Sequence, residues 1–255
     1  HTQLGKISLK EVVKKSSNRG AAQLGIKLGS RRLYEYSKAF GFGSSTDFGI
    51  GGERNGILHK PRSWDGLTIT RLPMGHAVSV TAMQIHQAMS AVANDGILMK
   101  PRFIERIFDK DGKTVVSFES KPVRRVLSAG VADTLSKMLV SVVSAEGTAR
   151  RAFIPGFAVA GKTGTTQKIV EGRYSNRHHV ASFVGYFPAE NPQIAVTVVV
   201  DEPKMKKGFL GYGGSVAAPS FKRVGQKIIG YLGLQPRSEG KDALALESMK
   251  RLGAL

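Results

Sequence analysis

The stretch GFAVAGKTGT at residues 156–165 admits two interpretations that lead to different folds. Residues 156–163 match the phosphate-binding pattern G-x-x-x-x-G-K-T, and residues 194–200 form an apolar segment followed by Asp201, as in nucleotide hydrolases. A phosphate loop also needs flexible residues between its glycines and a helix that begins at the lysine. Here the intervening residues favour a strand, and no helical apolar period follows Lys162. We therefore expect a strand at this position and no nucleotide site.

A strand through Lys162 brings several polar groups to one cleft if it lies at a sheet edge. Side chains alternate along a strand, so Lys162 and Gly164 face one side and Thr163 and Thr165 face the other. At an edge, the lysine, the threonine hydroxyls and the backbone N–H of Thr165 can still converge on one ligand, and Gly164 lets that ligand approach the backbone. The Ser16-Ser17-Asn18 segment, far upstream, is the candidate partner for this motif.

Helical patterns occur in the first part, the middle and the last part of the chain. Ser8 and Glu11 have the spacing of a capping box, in which each side chain bonds a free N–H at the helix start, and polar residues 15–18 interrupt the helix that follows. Apolar residues three or four apart predict further helices near residues 33–40, 81–94, 128–142 and 218–232. The predicted buried sides of the last two carry Val131, Leu135, Met138, Leu139 and Val142, and then Phe221, Val224, Ile228 and Ile229.

Short segments rich in β-branched and aromatic residues predict strands between these helices. They lie at residues 157–160, 180–187 and 194–200. Residues 103–108 and 114–118 flank the turn sequence DKDGK, which predicts a β-hairpin. Helices at both ends of the chain with consecutive antiparallel strands between them predict an α+β fold.

The composition excludes several classes of protein. The 255 residues include 38 Lys plus Arg against 19 Asp plus Glu, which gives a net charge of +19, and no Cys. A disulfide scaffold, a thiolate metal site and a cysteine nucleophile are therefore excluded. The positive charge is spread along the chain and lacks the interleaved aromatic residues of a base-stacking surface. We expect no nucleic-acid partner.

The two polar motifs, taken in order, resemble those of a known family. Ser16-Ser17-Asn18 and Lys162-Thr163-Gly164 are similar to the second and third motifs of penicillin-binding proteins. The surrounding sequence resembles the class B enzymes of the division and elongation types over about residues 1–230. The matching segments are residues 9–18, 52–56, 80–84, 93–96, 146–149 and 160–165.

The resemblance implies a peptidoglycan D,D-transpeptidase, which cross-links cell walls by serine acyl transfer from stem peptides that end in D-Ala-D-Ala. In such an enzyme, Ser16 would relay a proton to the leaving amine and Asn18 would hydrogen-bond the substrate amide. Lys162 would supply positive potential, and Thr163 and Thr165 would hold the substrate carboxylate. Gly164 lies between them in the same motif, and the backbone N–H of Thr165 would be one oxyanion donor. No cofactor and no metal are implied.

The resemblance also implies an architecture and a cellular setting. The expected fold is the β-lactamase/transpeptidase-like arrangement, an antiparallel sheet packed with helices plus a mainly helical subdomain. Residues 1–234 would be the C-terminal portion of the transpeptidase domain, and residues 235–255 a polar tail or short helix. The expected location is the extracytoplasmic face of the bacterial inner membrane, with the anchor in a segment that this chain does not contain. Expected partners are stem peptides, β-lactam antibiotics, and membrane-embedded glycosyltransferase, division or elongation proteins.

One departure from the family pattern concerns the nucleophile. The family's first motif, Ser-x-x-Lys, precedes the second by some tens of residues, and the one literal match here, at residues 238–241, follows the third motif. We attribute this match to chance and expect the 255-residue chain to lack the nucleophile and to be inactive alone. A second departure is Gly75-His76-Ala77, where the family has a turn similar to Gly-Gln-Gly.

Two other functions remain open at this point. One is a serine β-lactamase or D,D-carboxypeptidase of the same fold, and the other is a non-catalytic scaffold module. Among the remaining polar residues, Glu53 is predicted to brace a glycine-rich loop, and His76 and His86 to be packing or surface residues. The pair His178-His179 is not expected to share a metal ion, because adjacent strand residues point to opposite faces.

Overall fold

A computed structural model describes residues 5–49, 51–204 and 211–236 of the chain. Seven α-helices form within these ranges: α1 (Leu9–Lys14), α2 (Asn18–Leu28), α3 (Ser30–Ala39), α4 (Thr68–Arg71), α5 (Ala82–Ala93), α6 (Ala129–Val142) and α7 (Ala217–Leu232). Three short 3-10 helices lie at Pro61–Ser63, Leu72–Met74 and Arg150–Ala152. None of the described helices has both the length and the apolar character that a bilayer crossing requires.

Nine strands complete the α+β fold of the described residues. They are β1 (Ile57–Leu58), β2 (Val78–Ser79), β3 (Ile97–Met99), β4 (Arg106–Phe108), β5 (Thr114–Ser117), β6 (Pro122–Arg125), β7 (Ala160–Val170), β8 (Arg173–Phe187) and β9 (Ile194–Asp201). The last three form an antiparallel sheet in the order β7-β8-β9. The others pair as β1 with β2, β3 with β6, and β4 with β5. In this sheet β7 is therefore an edge strand.

The three-stranded sheet is packed on both faces. Alternation along β8 sends Phe183 and Phe187 into one apolar cluster and Val184 and Tyr186 into another. The first cluster includes Phe221 of α7, whose ring centroid lies 4.8 Å from that of Phe183 and 5.9 Å from that of Phe187. The second cluster lies against α5 and α6, through residues such as Met89 and Leu139. The sheet is thereby fixed between α7 and the α5–α6 pair, and β7 is held in place.

Most predicted elements are confirmed, with shifted ends. The break between the first two helices occurs at residues 15–17, and Thr81 caps α5 in a reciprocal hydrogen-bonded box with Gln84. The predicted hairpin forms between β4 and β5, and residues 103–105 lie outside it. Of the predicted tail at 235–255, only Gln235 and Pro236 belong to the described residues.

The strand predicted at residues 157–160 is wrong in its position, because β7 begins at Ala160 and continues to Val170. Phe157 and Val159 are buried in the first apolar cluster and lie in the approach to the strand. Burial, not sheet pairing, accounts for their apolar character. The segment TGTTQK at residues 163–168 has no apolar side chain that would predict a strand, but it is extended because it pairs with β8.

Two residues assigned to buried helix faces are exposed instead. Val131 of α6 is 52% exposed, whereas Ala132, Leu139 and Val142 are buried. Val224 of α7 is 41% exposed, and the buried position beside it is Gly225. The rest of each predicted face is correct, since Leu139, Val142 and Phe221 are buried, and at the two wrong positions the small neighbouring residue, Ala132 or Gly225, occupies the close contact instead. A Cβ at Gly225 would lie 2.7 Å from the Ile154 side chain.

Candidate active site

The loop between α1 and α2 presents Ser16 in an unusual backbone conformation. The N–H of Ser17 donates to the Val12 carbonyl at 3.0 Å, and the N–H of Ser16 donates to the Val13 carbonyl at 3.2 Å. These two bonds close the end of α1 in a Schellman-type cap, whose left-handed position usually holds glycine. Ser16 occupies that position with a φ of 52°. Its hydroxyl is thereby carried on a well-defined turn.

The next two residues of the motif start α2. The Ser17 side chain caps this helix by accepting a hydrogen bond from the N–H of Gly20 at 3.2 Å. Asn18 is the first residue of α2, is exposed and lines the same cleft as Ser16. The predicted interruption of the helix is therefore a double cap, which ends one helix, begins the next and turns Ser16 and Asn18 toward the cleft.

Lys162 on β7 meets this loop. Its Nζ donates to the Ser16 hydroxyl oxygen at 2.8 Å and to the Thr163 carbonyl at 3.0 Å. Burial of the Lys162 ammonium lowers its pKa to about 8. An amine with this pKa exists in both protonation states near neutral pH, so it can support proton movement through the Ser16 hydroxyl.

The threonines that follow Lys162 line the cleft beside it. Thr163 Oγ1 lies 3.2 Å from Thr148 Oγ1, and Thr165 Oγ1 accepts a hydrogen bond from the N–H of Gly213 at 3.1 Å. A hydroxyl that accepts from an N–H keeps its own hydrogen for a ligand. Gly164 also lines the cleft, but the tight contact there comes from β8, since a Cβ at Gly164 would lie 2.5 Å from Ser182 Oγ.

These residues share a cleft of about 1300 Å³. Its walls are α1 and the start of α2, the open edge of β7, and residues 73–76, 145–151 and 212–215. The described lining residues include Lys162, Arg150 and Arg151 as cations and Glu146 as an acid. The excess positive charge favours an anionic ligand. The sequence did not predict the parts of the wall at residues 73–76, 150–151 and 212–215, which reach the cleft only through tertiary packing.

The turn at residues 145–149 connects the two motif-bearing elements. Glu146 Oε2 accepts a hydrogen bond from Lys14 Nζ at 2.7 Å, and the Glu146 carbonyl accepts one from Lys15 Nζ at 2.8 Å. The ion pair raises the pKa of Lys14 and lowers that of Glu146. Sequence comparison marked Glu146 only as part of a family segment, and its partners on α1 could not be identified in advance.

The rival interpretation of residues 156–163 as a phosphate loop does not fit the structure. Strand β7 runs without interruption through Lys162, so no helix begins at the lysine. Asp201, the candidate magnesium ligand, ends β9 and forms an ion pair with Lys168, the Nζ–Oδ1 distance being 3.1 Å. The match at residues 238–241 lies outside the described residues.

The remaining candidate side chains lie in separate environments. His178 Nδ1 is 3.3 Å from Glu202 Oε1, whereas His179 Nε2 is 2.9 Å from the Gly211 carbonyl oxygen. His86 of α5 contacts β9, its Nδ1 lying 3.0 Å from Thr197 Oγ1. His76 lines the cleft and packs edge-on against Tyr174, the ring centroids being 5.6 Å apart. In the described ranges, no group of three or more His, Asp or Glu residues is arranged to hold a metal ion.

The sequence-family model for the penicillin-binding protein transpeptidase domain matches residues 1–226 of this chain. Stage V sporulation protein D of Bacillus subtilis is 39% identical over 228 residues, which cover 89% of this chain and 35% of that protein. Peptidoglycan D,D-transpeptidase FtsI of Buchnera aphidicola is 33% identical over 232 residues, or 90% of this chain and 38% of that protein. The chain thus spans little more than a third of the length of these relatives.

Solved structures agree with the sequence comparison. Penicillin-binding protein 3 from Mycobacterium tuberculosis, complexed with ampicillin, superposes with a TM-score of 0.82 at 30% identity. The match covers 92% of this chain and 53% of that one. The predicted transpeptidase-like α+β fold is therefore confirmed, and the chain belongs to the penicillin-binding protein transpeptidase domain family.

Proposed function

We propose that a protein containing this chain is a peptidoglycan D,D-transpeptidase. The observation that carries the proposal is the 2.8 Å contact between Lys162 Nζ and Ser16 Oγ, which joins the family's second and third motifs in one cleft. The excess positive charge around that cleft suits a peptide that ends in a carboxylate. The name of the Buchnera relative, peptidoglycan D,D-transpeptidase, supports the same reaction.

The proposed reaction proceeds in two acyl transfers. A serine hydroxyl from a Ser-x-x-Lys motif attacks the carbonyl carbon of the penultimate D-Ala, and the motif's lysine accepts the hydroxyl proton. The C–N bond then breaks, the leaving amine takes a proton, and the terminal D-Ala departs. An amine from a neighbouring peptidoglycan strand attacks the resulting ester and releases the serine. We propose that this first motif lies outside residues 1–255 and that the chain alone does not catalyse the reaction.

In this scheme Ser16 delivers the proton to the leaving amine. The Ser16 hydroxyl accepts a hydrogen bond from Lys162 Nζ, so its own hydrogen can be donated to another group. Lys162 replaces the proton that Ser16 gives up, which its pKa of about 8 allows. Asn18 hydrogen-bonds the substrate amide from the start of α2.

The substrate carboxylate is held by the threonines of β7. The hydroxyl hydrogen of Thr165 is directed away from Gly213 and can donate to a carboxylate oxygen. Thr163 lies beside it, and Gly164 lies between them at a position where a Cβ would come within 2.5 Å of Ser182 Oγ. The backbone N–H of Thr165 is the proposed oxyanion donor at the open edge of β7.

The proposed setting follows from the substrate. Cross-linking of peptidoglycan takes place at the extracytoplasmic face of the bacterial inner membrane, and we propose that a segment outside this chain provides the anchor. The ligands would be stem peptides and β-lactam antibiotics, and the protein partners membrane-embedded glycosyltransferase, division or elongation proteins.

A fluorescent penicillin tests the proposal. A longer protein that includes the Ser-x-x-Lys region should form a stable covalent adduct, and Lys162→Ala should reduce the labelling rate by at least about 100-fold. The 255-residue chain is the matched control and should stay unlabelled. Rapid turnover of the penicillin would instead indicate a β-lactamase or carboxypeptidase, and no adduct would indicate a scaffold module. Labelling at Ser16 or Ser238 would overturn the assignment of the nucleophile.

A further inference from the structure

The turn at residues 144–149 is closed by backbone hydrogen bonds and contacts both sides of the candidate site. Gly147 donates to the Ser144 carbonyl within the turn at 2.9 Å, and Ala149 donates to the Val142 carbonyl at the end of α6 at 2.9 Å. A Cβ at Gly147 would lie 2.0 Å from the Val142 carbonyl oxygen, so the turn fits tightly. Thr148 extends from it to Thr163 on β7.

Helix α1, in contrast, depends on its neighbours for its position. It has six residues, none of them fully buried, and a helix of this length is not stable alone. Val13 packs against both apolar clusters and so holds α1 against the core. Ser16 lies beyond the last turn of α1, so any movement of that turn moves the Ser16 hydroxyl.

Glu146 links the 144–149 turn to the last turn of α1. Its side chain holds Lys14 and its carbonyl holds Lys15, the two residues that directly precede Ser16. The Glu146 carboxylate is 69% exposed, whereas the Lys14 side chain is only 13% exposed. An ion pair with one solvated partner contributes little to the free energy of unfolding, so its main consequence is to fix geometry.

We propose that Glu146 is a positioning residue that fixes the end of α1 against the 144–149 turn and so keeps the Ser16 hydroxyl on the Lys162 amine. The importance of this contact for acyl transfer rests on the proposed function. The geometric part does not, because it concerns only contacts among residues of this chain. Glu146 is a positioning residue and not a catalytic one, since it acts through α1.

The pKa of Lys162 distinguishes this role from a direct electrostatic one. Removal of a nearby negative charge by itself lowers the pKa of a lysine. If Glu146 holds α1 in place, its loss instead admits water to Lys162, relieves the burial that lowers its pKa, and raises that pKa from about 8 toward its ordinary value of 10.5. The two effects have opposite signs.

The experiment uses the 255-residue chain and lysine side-chain NMR titration, with Lys162→Arg to assign the signal. Glu146→Gln should raise the Lys162 pKa by about one unit, and Glu146→Ala by at least as much. Glu11→Gln is the matched control, because Glu11 also contacts Lys14, at 3.6 Å, but lies within α1. It should leave the Lys162 pKa unchanged.

Amide hydrogen exchange at Ser16 and Ser17 provides a second measurement. These N–H groups close the end of α1, so their exchange should become faster in both Glu146 variants and remain unchanged in Glu11→Gln. An unchanged or lowered Lys162 pKa in a folded Glu146→Gln chain, as judged by its thermal unfolding, would overturn the proposal. If Glu146→Ala does not fold, the isosteric Gln variant still decides the question.

The two proposals can fail separately. If no longer protein is labelled by penicillin but the Lys162 pKa rises in Glu146→Gln, the transpeptidase function is wrong and the positioning role stands. If labelling occurs but the Lys162 pKa does not rise in Glu146→Gln, the positioning role is wrong and the transpeptidase function stands. Where labelling occurs, Glu146→Gln should slow it about tenfold, and Glu11→Gln should not.

Discussion

At the scale of single residues, Ser16 has to meet two opposing requirements. Its left-handed backbone favours glycine, while its hydroxyl is the partner of Lys162. The strain of a non-glycine residue in this region is about 1–2 kcal/mol, and glycine recovers it at an entropic cost of about 0.5–1 kcal/mol. A serine retained at this position is therefore the choice expected of a functional site.

Replacing Ser16 tests this balance. Ser16→Gly should raise the free energy of unfolding by about 0.5 kcal/mol in urea titrations while it removes the hydroxyl from Lys162. Ser16→Ala is the control, because it removes the same hydroxyl and keeps the strained backbone, and it should give no such gain. A glycine variant less stable than the alanine variant would contradict this account of the turn.

Glu53 provides a pH-dependent prediction at the same scale. Its carboxylate accepts hydrogen bonds from the Thr46 hydroxyl, the Thr46 N–H and the Ser45 hydroxyl, at 2.5, 2.8 and 2.7 Å. Hydrogen bonds from the Thr46 and Ser45 side chains lower the pKa of Glu53 from 4.5 to about 2, in line with the bracing role predicted for it.

Because the Glu53 pKa is lower in the folded state, its stabilising effect is complete above pH 4.5 and disappears as the pH falls toward 2. Thermal unfolding followed from pH 6 to pH 2.5 should show a loss of stability in this window. The loss should be smaller in Glu53→Gln, which cannot ionise. Equal pH dependence in the two proteins would show that the hydrogen bonds to Glu53 do not shift its pKa.

At the scale of elements, the existence and type of the main helices could be predicted from the sequence, but not their exact faces. The capping residues Ser8, Thr81 and Ser128 occur where the helices begin, because N-caps depend on local hydrogen bonds. Which side of α6 is buried depends on the sheet it meets, and there Ala132 is preferred over the larger Val131. The spacing of apolar residues alone does not show which of two adjacent residues is buried.

The packing of α7 on the sheet gives a matched test of this point. Phe221 is fully buried against Phe183 and Phe187, so Phe221→Ala should lower the free energy of unfolding by about 3–5 kcal/mol. Val224 was predicted to be buried on the same helix but is exposed, and Val224→Ala should change the stability by about 0.5 kcal/mol or less. Urea unfolding of both variants compares the two faces directly, and equal losses would contradict the face assigned to α7.

At the scale of the whole molecule, the candidate site could be predicted only where short motifs identify it. Ser16, Asn18 and the Lys162–Thr165 segment were found because their order and context resemble one family. Glu146, Arg150 and the 212–215 wall were not, because each reaches the cleft through contacts between segments distant in sequence. The charge of the cleft and its positioning contacts therefore depend on tertiary structure and not on any local sequence pattern.

The net charge of +19 is also a property of the whole molecule. A positive field spread over the surface should produce weak attraction to anionic vesicles or cell-wall polymer, and added salt should screen it. Co-sedimentation of the chain with anionic vesicles should decrease as ionic strength rises, while neutral vesicles serve as the control. Binding to anionic vesicles that does not change with salt would contradict a diffuse electrostatic origin.

The contact between Ser16 and Lys162 joins residues 146 positions apart, and this separation determines when the site can exist during synthesis. Helices α1 and α2 leave the ribosome long before β7, so the serine has no partner until β7 has been made. Contacts of such long range form late and slowly in folding, because a long loop must close before they can stabilise the fold. Truncated products that end before β7 should therefore have no ligand-binding cleft.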